Sequence, residues 1–339
     1  MAGARLSCPV GKLFEIQEPP VQRFGAWILV VVVLLVSSTG AAAEDTNAPF
    51  PSGPWKIASE HLPNAYRLHE RVISGGLPEG AAAFRELQVL GVKTVISVDG
   101  ARPDVTTAAR YGMRYVHVPH GYDGIPPERI TELAKAVRDL PGPVYIHCHH
   151  GKHRSPAAAT AACIAVGYIN PDSAENILTT AGTSKKYRGL YESALSAQRL
   201  DDPTLDALMA DFPETAELPE MAQTMVQIEH AHSHLKQFAA NQWRAIKNQP
   251  DLDPSHEALL LREHFTELLR TSDVQEQPVE FQTLVRSSEQ AARSLETQLR
   301  AARPLDAAEA FQQITRQCTA CHHDYRDVPL SEKRQPKSK

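Results

Sequence analysis

Residues 144–168 read VYIHCHHGKHRSPAAATAACIAVGY, and this segment indicates how the chain around it folds. Its first four residues favour a β-strand, whereas the alanine-rich run after Ser155-Pro156 favours a helix. The turn between them holds a glycine, and Arg154 follows Cys148 by six positions. The sequence therefore predicts a strand, an anion-binding loop and a helix in immediate succession.

Cysteine and arginine at this spacing suit covalent transfer of a phosphoryl group. The backbone N–H groups of such a turn point into one cradle, and the helix N-terminus adds positive potential, so a phosphate dianion can bind there. The same field favours the thiolate form of Cys148, which makes Cys148 a candidate nucleophile. Arg154 can hold two phosphoryl oxygens with its planar guanidinium group, and Ser155 can donate a hydrogen bond to the departing thiolate.

An α/β domain is predicted around this loop, over residues 55–198. Strands are predicted at 92–98, 114–118 and 144–147, and helices at 79–90, 126–140, 156–168 and 171–181. Because strands and helices alternate, the strands should be parallel, and the loops beginning at Asp99, Pro119 and Cys148 should emerge at one edge of the sheet.

The Cys148 loop resembles the signature of the cysteine-dependent tyrosine and dual-specificity phosphatases. The similarity extends over about residues 65–195, through VISGGLP at 72–78, GVKTVI at 91–96 and YVHVP at 115–119. It implies that Cys148 is the nucleophile, Arg154 the phosphate ligand and Ser155 the partner of the thiolate.

The general acid of that family is expected at Asp123, in the sequence GYDG, 25 residues before Cys148. Asp99 and Asp104 are the rival carboxylates, and Asp123 can also simply shape a turn. His149, His150, Lys152 and His153 make the loop unusually basic, so the substrate class stays open. Together with His147, these histidines are of a residue type that binds metal ions, so a metal cluster is an alternative. However, side chains at successive positions around a phosphate cradle point away from one another.

A second motif lies near the C-terminus, where residues 318–322 read CTACH. Cys-x-x-Cys-His is the spacing for covalent attachment of a c-type haem. On a helix, Cys318, Cys321 and His322 lie on one face, so two thioether bonds and an axial imidazole can reach one macrocycle. The alternatives are a redox-active dithiol and a zinc site, to which His323 and His230 could add ligands.

Four helical segments are predicted in this part of the chain, at 217–247, 254–271, 278–302 and 304–326, and the last of them contains the motif. The run CTACHHDYR at 318–326 resembles the C-terminal signature of cytochrome c prime and its low-spin relatives. The resemblance implies an all-α four-helix bundle over residues 216–328, with His322 as the axial ligand of the haem iron. Met225 or Met221 is then the sixth ligand, unless that position is open to a small gas. A homodimer through the helices is also implied.

The N-terminus predicts export. Residues 26–36 form an apolar run, and 37–43 read SSTGAAA, which is typical of a signal peptide cleaved after Ala43. A long preceding segment leaves an uncleaved membrane anchor as the alternative.

Residues 199–215, rich in aspartate and proline, are interpreted as a linker, and 329–339 as a basic tail. The net charge of −5 gives no general reason to expect nucleic acid as a partner, because nucleic acid favours a basic surface.

These motifs predict an exported, periplasmic phosphatase with a haem c domain for redox or gas sensing or electron transfer. Its substrate would be a phosphomonoester or a phosphoprotein, hydrolysed through a cysteinyl-phosphate intermediate. The alternative is a haem electron carrier or sensor whose first domain only binds an anion. Sulfur transfer and arsenate reduction are a third possibility, because those loops also place a cysteine above an anion cradle.

Overall fold

A six-stranded mixed sheet forms the framework of the first half of the chain, with the strand order β1-β2-β3-β6-β4-β5. The computed structural model describes residues 53–247 and 249–333, which belong to one compact unit. The strands are β1 Trp55–Lys56, β2 Tyr66–His69, β3 Val72–Gly75, β4 Thr94–Ser97, β5 Arg114–His117 and β6 Val144–His147. The predicted signal peptide, 1–43, and the end of the basic tail, 334–339, lie outside the described residues.

Four of the strands, β3, β6, β4 and β5, are parallel, whereas β1 and β2 are antiparallel to their neighbours. The parallel pairing of the three strands predicted from the sequence is therefore confirmed. The loops that follow β4, β5 and β6 leave the sheet at the same edge, as expected for parallel strands. The sequence prediction lacked β1, β2 and β3. Strand β1 has only two residues, and the side chains of β1 and β2 are mostly half-exposed, whereas β3 is buried throughout.

Helices cover both faces of the sheet. They are α1 Gly80–Val89, α2 Val105–Arg110, α3 Pro127–Asp139, α4 Arg154–Ala165, α5 Ala174–Ala181, preceded by a 3₁₀ turn at Pro171–Ser173, and α6 Arg188–Leu195. Helix α4 is buried along its length from Ser155 to Ala165. Its alanines let α3, α5 and α6 approach it closely, so the helix that begins at the Cys148 loop is held from several sides.

The predicted linker is partly packed against this α/β region. It contains α7, Asp202–Ala207, whose Leu205 is buried with Ala134 of α3 and Ala165 of α4. Further along, the N–H of His117 donates to the carbonyl of Pro213 over 2.8 Å. These contacts hold the connection against the sheet rather than leaving it as a free tether.

The second half of the described chain is helical. Its helices are α8 Glu220–Ala240, α9 Pro254–Leu268, the short α10 Ser272–Gln275, α11 Val279–Arg300 and α12 Pro304–Cys321, and all of them except α10 are long. The long helices share one apolar core that includes Leu235, Leu261, Leu295 and Ile314. Within the part of the chain that the structure describes, no helix combines the length and the apolar character needed to cross a bilayer.

Two helix ends differ from the sequence prediction by five residues or more. Helix α8 stops at Ala240 instead of 247, because Gln242 and Trp243 adopt positive φ angles of 55° and 63°, which a right-handed helix excludes. Helix α12 ends at Cys321 and continues as a π-helical turn, His322–Arg326. The CTACH motif at 318–322 thus spans the junction between the two helical geometries.

Candidate active site

The Cys148 loop is folded tightly against the turn that follows β3. Gly151 has a φ of +68°, and a Cβ atom there would lie 2.4 Å from the backbone nitrogen of Gly76, so only glycine fits. The side-chain amide of Asn64 donates to the carbonyl of Gly151 over 2.8 Å. The N–H of Leu77 donates to the carbonyl of His149 over 3.1 Å. The conformation of the loop is therefore fixed by residues distant in sequence.

Cys148 and Ser155 lie together where this loop enters α4. Cys148 is 3% exposed, and its Sγ lies 3.3 Å from Oγ of Ser155. The Ser155 hydroxyl also lies 2.9 Å from the carbonyl of Gly75, to which it can donate its single proton. With a thiol, Cys148 donates to Ser155. With a thiolate, the Ser155 proton can turn to the sulfur, which stabilises the anion.

Arg154 is the predicted phosphate ligand of the site. Its Cζ lies 4.5 Å from the ring centroid of Tyr122, and its buried Nε has no hydrogen-bond partner within the described residues. Burial lowers the pKa of Arg154, but nearby Tyr122, Cys148 and Asp99 outweigh burial, and the pKa is raised from its ordinary value. Arg154 is thus a fixed cation with a donor available to an oxyanion.

The three candidate acids have different environments. Asp123 is mostly buried, with 17% of its side chain exposed, and its Oδ2 lies 2.6 Å from Nζ of Lys333. Asp99 is 2% exposed, with Oδ1 accepting from the N–H of Ala101 over 2.8 Å. Asp104 is exposed and caps α2 by accepting from the N–H of Thr107, which is a structural role.

The histidines of the loop do not form one cluster. The rings of His149 and His150 contact each other at 4.4 Å between centroids and are exposed. His153 instead packs on Tyr187, and burial with the charge of Lys186 lowers the pKa of His153 to about 4. Within the described residues, no group of three or more His, Cys, Asp or Glu side chains could hold a metal ion.

The site contains residues that sequence reasoning missed. Tyr122 lies between Arg154 and Tyr187, with 4.7 Å between the two tyrosine centroids. His120 is buried, and burial with the charge of Arg154 lowers its pKa to about 3, so it is a neutral side chain. Both residues could have been found from their position in the sequence. They lie close to Asp123, in the loop that was predicted to leave the sheet at the same edge as the Cys148 loop.

The CTACH motif, residues 318–322, lies beside the α/β region. Cys318 and Cys321 are free and partly buried, and burial raises the pKa of Cys318 to about 11. His322 lines a cavity of about 360 Å³ together with Lys186 and Arg326. Burial and the charge on Arg326 lower the pKa of His322 to about 4, so its imidazole is neutral.

The methionines considered as sixth ligands lie on α8. Met221 and Met225 are partly buried and pack against the same apolar core as Cys318 and Cys321. His232, two turns beyond Met225, stacks on Phe311 with 4.9 Å between centroids. Both methionines therefore lie on the core side of the helical region.

No protein-family model matches the chain. No curated protein matches it. Among solved structures, TpbA of P. aeruginosa aligns with 22% identity and a TM-score of 0.39, over 44% of this chain and 92% of that one. The core catalytic domain of the PP-IP phosphatase SIW14 from S. cerevisiae, in complex with citrate, aligns with 16% identity and a TM-score of 0.34, over 42% of this chain and 88% of that one. PTPMT1 in complex with PI(5)P aligns with 19% identity and a TM-score of 0.33, over 38% of this chain and 94% of that one.

Proposed function

We propose that this chain is a cysteine-dependent phosphatase with a covalently attached haem c. The observation that carries the first part is the loop at the start of α4. There, Sγ of Cys148 lies 3.3 Å from the Ser155 hydroxyl, and the adjacent Arg154 has a buried donor without a partner in the described residues. A nucleophile, its hydroxyl partner and an oxyanion ligand are what a phosphoryl-transfer site requires.

In the first step, the thiolate of Cys148 attacks phosphorus while the bond to the leaving oxygen breaks. The backbone N–H groups of the loop and the guanidinium of Arg154 hold the equatorial oxygens, where charge is concentrated in the transition state. A proton from a carboxylic acid, which we assign to Asp123, passes to the leaving oxygen and gives a neutral alcohol. The enzyme then carries phosphate on sulfur.

In the second step, water attacks the phosphorus and the bond between sulfur and phosphorus breaks. The carboxylate of Asp123 accepts the proton of the water, which restores the acid. The Ser155 hydroxyl donates to the departing thiolate, which requires its proton to turn from the carbonyl of Gly75 to the sulfur. Phosphate then leaves and the site returns to its starting state.

The substrate class is a phosphomonoester, either small or carried on a protein. This assignment rests on the nucleophile, the anion cradle and the exposed Lys152 in the loop. An exposed lysine beside the cradle favours a substrate with negative charge beyond the reacting phosphate.

The test of this part is phosphate release from an aryl phosphate, measured with and without thiosulfate as a competing substrate. We expect release of inorganic phosphate that thiosulfate does not suppress. Binding of tungstate, a phosphate mimic, without any release would favour the alternative of an anion-binding domain attached to a haem protein. Suppression by thiosulfate would instead favour sulfur transfer, and reduction of arsenate would favour an arsenate reductase, the two forms of the third possibility.

The second part of the proposal assigns a c-type haem to Cys318, Cys321 and His322. Two free thiols three positions apart and a neutral imidazole fit the group chemically, since thioether bonds need thiols and iron binds the neutral ring. Lys186, Arg188 and Arg326 line the cavity beside His322 and offer cations to carboxylate groups. When bound, the haem supplies redox and gas-binding chemistry, for a redox partner or a small gas.

We further assign the helical region to the four-helix bundle of the cytochrome c prime type, with Met225 as the sixth ligand and Met221 as the alternative. The packing of both methionines against the core that Cys318 joins supports this assignment. A homodimer through these helices rests on the family resemblance alone. Export to the periplasm rests on residues 1–43, and an anchored form on the apolar run within them.

If the haem is covalently attached, the haem absorbance should remain with the polypeptide after denaturation. In acid-acetone extraction, the haem should stay with the polypeptide, because thioether bonds are not broken by acid, and Cys318→Ala with Cys321→Ala should abolish its retention. Cys163→Ala is the matched control, since Cys163 is fully buried in α4 and belongs to neither site. Haem that washes out of the wild-type chain would contradict the assignment.

The spectrum of the same preparation tests the sixth ligand. A low-spin spectrum that becomes high-spin in Met225→Ala and then binds carbon monoxide would identify Met225 as the ligand. The same change in Met221→Ala alone would identify Met221. A wild-type protein that is already high-spin would instead show an iron open to small gases.

A further inference from the structure

The residues that follow the haem-attachment motif lie on the loop of the candidate general acid. We call 327–333 the strap. The N–H of Leu330 donates to the carbonyl of Asp123 over 2.8 Å, and Nζ of Lys333 donates to Oδ2 of Asp123 over 2.6 Å. Both the backbone and the side chain of Asp123 are therefore engaged by one short segment.

Two further contacts fix the strap to α6. Glu332 accepts two hydrogen bonds from Arg188, of which the one from Nη2 measures 2.9 Å. The hydroxyl of Ser331 donates to Oε2 of Glu192 over 2.7 Å. The strap thus bridges the acid loop and α6 through alternating charges, a pattern that specifies one position along the α/β surface.

The Lys333 contact bears directly on the chemistry. A general acid must carry a proton when the leaving oxygen departs. The ammonium group, 2.6 Å from Oδ2, pairs with the carboxylate form of Asp123 and occupies one of its oxygens. While this contact is intact, Lys333 occupies Oδ2 of Asp123, and that oxygen cannot reach a leaving group.

The strap is continuous with the haem-attachment motif. It begins at Asp327, immediately after the turn His322–Arg326, and Nε of Arg326 donates to Oδ1 of Asp327 over 2.7 Å. The Arg326 guanidinium also lies 4.4 Å from the ring centroid of Tyr122. A displacement of this turn would therefore move the start of the strap.

We propose that the strap is an intramolecular clamp that holds the phosphatase in a low-activity form by engaging Asp123. The proposal rests on the phosphatase function proposed above and adds its regulation. Contacts of this kind at a protein surface are individually weak, so the clamp is released by small changes and its removal should shift activity moderately.

The test uses the full-length haem-loaded protein and measures kcat on two substrates. In Lys333→Met, turnover of an alkyl phosphate should rise about 2- to 5-fold, the range over which the loss of one surface ion pair shifts a two-state equilibrium. An aryl phosphate with an acidic leaving group should change much less, because it needs no proton. Arg270→Met, which removes an exposed cation paired with Glu267 at 2.7 Å, is the matched control and should leave both rates unchanged.

A second readout does not depend on turnover. Amide hydrogen exchange in the 328–333 peptide should be faster in Asp123→Asn than in the wild type, because the Lys333 ion pair is lost. Unchanged exchange would mean that Asp123 does not hold the strap and would overturn the clamp.

The outcomes also separate the clamp from the phosphatase proposal. If turnover depends on Cys148 but is unchanged or lower in Lys333→Met, the clamp is overturned and the phosphatase stands. If neither the wild type nor Lys333→Met shows turnover that depends on Cys148, the phosphatase proposal fails, and the clamp fails with it.

Discussion

Replacing Cys148 with serine is expected to lower turnover of every phosphomonoester by about 10⁴-fold or more, because the covalent step loses its nucleophile. A serine hydroxyl is not ionised near neutral pH. Its hydrogen-bond partner, Ser155, is another hydroxyl and not a base. The variant therefore has no group that could replace the thiolate at that position.

Binding of a phosphate mimic should survive the same substitution. The loop backbone and Arg154 are untouched, and serine is smaller than cysteine, so tungstate should bind Cys148→Ser with an affinity close to that of the wild type. Arg154→Lys should instead weaken both binding and turnover, because a lysine offers a point charge in place of a planar pair of donors. Phosphate release and calorimetric titration with tungstate measure the two effects.

The matched control is Cys163→Ala. Cys163 is fully buried in α4, which begins at the same loop, and should tolerate the loss of its sulfur with little change in turnover. Turnover that is retained in Cys148→Ser would mean that phosphate release does not pass through a cysteinyl-phosphate. Loss of turnover in Cys163→Ala to the same extent would indicate a general disturbance of α4.

The geometry of the Cys148 loop could be predicted because its parts are contiguous. A strand, a glycine turn and a helix follow one another, so the spacing of Cys148, Arg154 and Ser155 sets their relative positions directly. Three of the four parallel strands were predictable for a similar reason, since buried β-branched runs alternate with helices, whereas β3 was missed. The sequence alone, however, does not indicate that the loop rests on Gly76, because that contact depends on how β3 and β6 pair.

The surroundings of the candidate acid could not be predicted in this way. Asp123 and Lys333 are 210 residues apart, and nothing in the composition of the C-terminal tail specifies where it lies. The basic tail was interpreted only as a charged end, whereas its first residues, including Glu332, make specific contacts. Long-range pairs between surface charges leave no periodic pattern, so only the folded structure reveals them.

The strap changes how the role of Asp123 should be measured. Asp123→Asn is expected to lower turnover of alkyl phosphates by about 10²- to 10⁴-fold, the contribution of a general acid, when it is compared in the Lys333→Met background. There the acid is free of its ion pair. In the chain with Lys333 intact, the same substitution should cost less, because the clamp already occupies the side chain of Asp123.

The two substitutions should therefore be non-additive. In a double-mutant cycle on alkyl phosphates, Lys333→Met should raise turnover only when Asp123 is present, since Lys333 acts through that carboxylate. Aryl phosphates with acidic leaving groups should show small effects throughout the cycle. Additive effects would mean that Lys333 acts on turnover by a route other than Asp123.

Asp99 provides the decisive comparison for the identity of the acid. It is 2% exposed and accepts a hydrogen bond from the N–H of Ala101, so Asp99→Asn should disturb the site as a whole and lower turnover of both substrate classes alike. A general acid instead produces a loss that grows as the leaving group becomes more basic. A larger selective loss on alkyl phosphates in Asp99→Asn than in Asp123→Asn would transfer the role to Asp99. It would also remove the reason why a clamp on Asp123 should limit turnover.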